Sequence, residues 1–145
     1  MSNQPRVVTN SIAAIAAGFG AFFAAGGVVF GAMYVILPYL LPKPEGVARL
    51  AEGLYVLWCW LFGAVAGSTV GGYVTSRVAK RNQFIHSAVV IAMLVVPFWW
   101  IFWPGKYLDA FALSIEAELT VAACLFFLLG TWIGSRKRKQ IERSE

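Results

Sequence analysis

Charge is scarce in this sequence. Charged residues make up 13% of its 145 positions, where a soluble globular domain carries roughly a quarter. A soluble fold of this size would lack the groups to cover its surface. Disorder is excluded as well, because it needs high charge and low hydrophobicity, and 59% of these residues are hydrophobic. Reactive groups are equally sparse. There is one histidine, His86, and there are two cysteines, Cys59 and Cys124, without CxxC or metal-type spacing. No Walker loop, GxSxG, HExxH or Cys/His cluster occurs. No catalytic, cofactor-binding or metal site is therefore expected, and the reading is of a non-enzyme.

Long apolar runs take the place of those features. They cover 11–41, 53–76, 85–103 and 115–135, each approximate at its ends, and a basic tail occupies 136–145. About 20 apolar residues cross roughly 30 Å of hydrocarbon as a helix, and continuous runs suit helices better than the alternating strands of a barrel. The expected fold is an all-α integral membrane protein: one domain of four transmembrane helices in two hairpins. The first run is longer than a crossing needs, so it tilts, projects or bends, with Gly26-Gly27 as its weak point. It also exceeds the 7–15 apolar residues of a cleaved signal peptide.

Lys and Arg set the orientation. With the N-terminus in the cytoplasm, the inner segments hold Arg6, Arg77, Lys80, Arg81, Arg136, Lys137, Arg138, Lys139 and Arg143. The outer loops hold only Lys43, Arg49 and Lys106, with Glu45, Glu52, Asp109, Glu116 and Glu118. The positive-inside rule then places both termini in the cytoplasm, as for a multi-pass protein of a cell (inner) membrane. The basic run from Arg136 to Lys139 abuts the membrane. It reads as a stop-transfer anchor attracted to anionic headgroups, not as a nucleic-acid site.

Small residues mark helix-packing faces. Gly63, Gly67 and Gly71 recur at steps of four, continued by Thr75 and Ala79, with Ala64, Ser68 and Gly72 in a row beside them. The first helix offers Ala16, Gly20 and Ala24 in one row and Gly27 with Gly31 in another; the fourth offers Gly130 and Gly134. The third is bulky, contains Pro97, and is expected to be the most exposed to lipid or a partner. Each small face meets another helix of the chain, a second copy, or a different protein. Trp58, Trp60, Trp99, Trp100 and Trp103 fall in the outer half with most tyrosines, which fits an interfacial belt and also a lipid or partner surface.

Segment 67–72, Gly-Ser-Thr-Val-Gly-Gly, resembles 130–135, Gly-Thr-Trp-Ile-Gly-Ser, and Ala32-Met33 before Pro38 resembles Ala92-Met93 before Pro97. A duplicated hairpin with parallel repeats gives such a pattern, and so does chance among apolar residues. Minor sites have bland readings. His86 is an interfacial polar residue, Ser114 caps the fourth helix with Glu116 and Glu118 in its first turn, and the cysteines are free thiols.

The functional expectation is an accessory or scaffold subunit of a larger membrane complex, touching the bilayer and either other membrane subunits or copies of itself. The alternative is a small transporter or channel active as a homo-oligomer. No charged residue lies mid-span, which argues against proton coupling but leaves neutral solutes open.

Overall fold

The structure, a computed structural model, describes residues 4–40, 48–79, 81–102 and 110–141. It is all helical: α1 (Gln4–Leu40), α2 (Ala48–Val78), α3 (Gln83–Phe102) and α4 (Ala110–Ile141). Among the described residues three stretches are long and apolar enough to cross a membrane, Asn10–Leu37, Leu57–Val78 and Ala117–Lys137. The fourth helix, α3, has 20 residues, about 30 Å at 1.5 Å per residue, close to the thickness of the hydrocarbon layer. The chain is a membrane protein built from four helices.

The helices outrun the apolar stretches. α1 continues unbroken through Gly26-Gly27, because Gly26 is packed against α2 and the ladder there is supported from outside. α4 begins at Ala110, so Ser114 is inside the helix and no acid falls in the first turn. The expected cap at Ser114 is corrected: Ala110, Phe111, Ala112 and Leu113 are helix-compatible, and they carry the helix one turn further back. At its other end α4 carries the basic run outward as helix to Ile141.

α2 is the middle of the molecule. It packs against α1 on one side and α4 on the other, and it keeps the backbones of α1 and α4 apart among the described residues. α3 makes the lightest contacts, with all three of the others. Its side is largely open: Phe84, Ile85, Val89, Met93 and Val96 are exposed, while Ser87 and Val90 are buried. The core is correspondingly thin. It consists of Ala14, Leu37, Cys59, Ala79, Val90 and Phe127, with the buried hydroxyls of Ser68, Thr75, Ser76, Ser87 and Thr131. Apolar residues elsewhere on the surface face where lipid tails would lie, which costs nothing in that solvent.

The turn from α2 into α3 rests on Asn82, whose φ of 52° is left-handed. Asn adopts that region more readily than most residues. Its carbonyl then accepts hydrogen bonds from the Ile85 and His86 backbone N–H groups at 3.0 and 3.2 Å, starting α3. The His86 ring sits at the same carbonyl, with Nδ1 2.9 Å from the oxygen.

Candidate helix-packing and membrane-interface site

Two seams hold the bundle, and both are made of missing side chains. The first joins α1 to α2, running antiparallel. Gly18 lies at Thr75 and Gly71, while Gly26 lies at Gly63 and Gly67. A methyl group on Gly67 would stand 2.6 Å from the Phe22 carbonyl oxygen, and one on Gly63 or Gly26 would stand 3.0 Å from the other's carbonyl oxygen. These are backbone atoms, which cannot rotate away. Direct backbone contact of this kind is what small residues at steps of four permit in lipid.

The second seam joins α2 to α4, running parallel. A Cβ on Gly72 would collide with the Phe127 carbonyl oxygen, and one on Gly130 with the Thr69 carbonyl oxygen. Gly134 fits over Ser76, with the Tyr73 carbonyl oxygen 3.0 Å from where its Cβ would be. Phe127, 1% exposed, fills the space where the seams meet, its ring edge against Gly71.

Gly63, Gly67 and Gly71 thus lie against α1, while Gly130 and Gly134 lie against α2. Gly27 and Gly31 do not join them. Among the described residues nothing beyond its own helix backbone lies within 4 Å of a Cβ at either position, nor at Gly20. The α1 seam is instead Gly18 and Gly26, eight apart with Phe22 between. Rows of small residues show where two helices can meet; the packing of the bundle decides which row does.

α3 is fastened by hydroxyls. Ser87 Oγ and Thr131 Oγ1 are 2.8 Å apart, both fully buried. Thr131 Oγ1 also lies 2.9 Å from the Phe127 carbonyl oxygen of its own helix and 3.4 Å from that of Gly72 on α2. One threonine therefore touches three helices. Among the described residues no buried side-chain nitrogen or oxygen lacks a partner, as a low-dielectric interior demands.

Of the tryptophans, Trp58 is 45% exposed and stacks on Phe62, with centroids 5.9 Å apart. Trp60 is exposed too, yet its ring lies against Phe30 of α1, with centroids 5.2 Å apart and the planes tilted by 58°. Trp99 and Trp100 belong to α3, but their side chains, and Trp103 as a whole, lie outside the described residues. Cys59 is buried, Cys124 partly so, and both are free.

The ends of α2 and α4 that carry Arg77 and Arg136 share a second register of the repeat. Residues 71–77, Gly-Gly-Tyr-Val-Thr-Ser-Arg, match 130–136, Gly-Thr-Trp-Ile-Gly-Ser-Arg, fifty-nine positions on. The register adopted from sequence set 67–72 against 130–135 instead. In both copies the serine hydroxyl donates to the aromatic residue's carbonyl: Ser76 to Tyr73 at 2.8 Å and Ser135 to Trp132 at 2.7 Å. In both copies the arginine lies over the aromatic ring one turn back. Arg77 Cζ is 6.0 Å from the Tyr73 centroid, and Arg136 Cζ is 3.9 Å from that of Trp132. The signal was legible, but only by treating Tyr with Trp and Val with Ile as equivalents.

Comparison with known proteins finds no matching family model and no matching solved structure. Two similar proteins are found, the solute carrier family 2, facilitated glucose transporter member 10, of Xenopus tropicalis and of Xenopus laevis. Identity is 28% and 27% over 116 residues, and each match takes in 70% of this chain. The chain spans 19% of the length of these relatives. What it resembles is therefore one part of a facilitated transporter.

Proposed function

We propose that this protein is a non-enzymatic, transporter-like unit of a cell (inner) membrane that works by assembling with further copies of itself. The similarity to about a fifth of a facilitated transporter carries the reading. Two physical features support it. Four helices whose middle one is sealed by glycine contacts on both sides enclose little volume, so a path for solute needs more than one copy. α1 also keeps Gly20, Gly27 and Gly31 exposed, a face on which a second backbone can seat. With no charged residue mid-span, the solute class is neutral and polar, a small sugar or polyol, moved without proton coupling.

The test is a native mass in mild detergent followed by uptake of labelled glucose and glycerol into liposomes. A defined homo-oligomer with saturable uptake is the expected result. A tight complex with other polypeptides and no uptake would favour the second reading, an accessory subunit, for which the exposed Trp58 and Trp60 supply a partner surface.

A further inference from the structure

We infer that the repeated segment Gly-x-aromatic-aliphatic-x-Ser-Arg, at 71–77 and 130–136, is a headgroup-binding element, and that its two copies each hold one anionic phospholipid. The argument does not depend on the transport reading.

Each copy fixes an arginine that would otherwise be a mobile surface charge. The helix sets the guanidinium one turn past an aromatic ring, which lies over or beside it. Tyr and Trp settle at the headgroup level, where the ring is in hydrocarbon and its polar atom is wet. A guanidinium held near such a ring stands at headgroup depth with N–H groups free to grip a phosphate through two bonds. The serine of each copy is turned back on the helix and does not compete.

The two copies also stand at one level. α2 and α4 run parallel, and Gly130 and Gly134 bracket Tyr73 along the seam. Trp132, between those glycines in sequence, is therefore level with Tyr73, and Arg136 with Arg77. Both arginines are exposed, as are Arg81 and Lys137 nearby. Glu118 is the one acid whose side chain is described, and it sits toward the other end of α4. The acids nearest in sequence, Glu142 and Glu145, follow Lys137, Arg138 and Lys139. Charge, level and exposure agree on a phosphate carried by a lipid.

Retained lipid can be counted by native mass spectrometry on the full chain, released from mixed micelles of phosphatidylglycerol and phosphatidylcholine with matched acyl chains. The wild type should keep two phosphatidylglycerol molecules at least threefold over phosphatidylcholine. Arg77→Gln and Arg136→Gln should each lose one, and the double variant should show no preference. Trp132→Leu, which leaves the charge, should also lose one. Arg81→Gln removes the same charge outside the element and should keep both. Equal retention of the two lipids by the wild type would overturn the proposal. So would an equal loss in Arg81→Gln, which would make the effect one of net charge. Displacement of the lipid by millimolar inorganic phosphate would overturn the lipid as ligand. Unchanged helical circular dichroism in every variant guards against misfolding, and all the substituted side chains are exposed.

Discussion

Single glycines divide sharply by what lies opposite them. At Gly67 the neighbours are the Phe22 carbonyl and the Gly26 backbone, so Gly67→Ala must push two helices apart. The expected cost is about 1–3 kcal/mol, the usual range for overpacking a tight contact, read as a lower midpoint in a detergent unfolding titration. Gly20→Ala meets open space and should be neutral or stabilising by up to about 1 kcal/mol, because alanine is the better helix former. Equal effects at the two positions would mean that the α1–α2 seam is misplaced. Thr131→Val keeps the shape but leaves Ser87 without its partner on α4. Interhelical hydrogen bonds in membranes are worth about 0.6 kcal/mol on average and up to about 1.7. A double-mutant cycle with Ser87→Ala should return a coupling in that range.

At the scale of the helix, α2 and α3 are opposites. α2 is gripped along two sides, while among the described residues α3 is held by the Ser87–Thr131 hydroxyl pair and lighter packing. Amide hydrogen exchange should therefore be faster across residues 91–97 than across 65–75, as expected where packing is light. Comparable protection in both would show that α3 is held by more than these contacts. Its entry turn is a weak point of another kind: Asn82→Val places a β-branched residue at φ 52° and should cost about 1–2 kcal/mol, whereas Asn82→Gly should be tolerated. Much of this layout was legible in the sequence. Hydropathy averages over twenty residues, so four helices stood out, and the α2 glycine row announced itself by its spacing. Helix ends did not, because Ala110 to Leu113 and Arg136 to Ile141 are helical beyond the apolar run. Nor did the working face of α1. Its densest small row, Ala16, Gly20 and Ala24, is exposed, and the choice of Gly18 and Gly26 instead belongs to tertiary packing.

For the molecule as a whole, antiparallel α1–α2 and parallel α2–α4 bring the start of α1 and the end of α4 to the same end of the bundle. The distribution of Lys and Arg predicts a cytoplasmic position for that end. Reporter fusions at the two termini should thus behave alike, and reporters inserted near Lys43 or Lys106 should give the opposite response. Discordant termini would sink both the orientation and the parallel packing of α2 with α4. The place of α2 between its neighbours also imposes an order of events during synthesis. The first hairpin emerges with its own seam complete, so α1 and α2 can leave the insertion machinery already joined. The second side of α2, from Thr69 to Ser76, then stays open to lipid until α4 arrives. During that interval it is a vacant half-joint, and another newly made helix with a matching row of small residues could occupy it first.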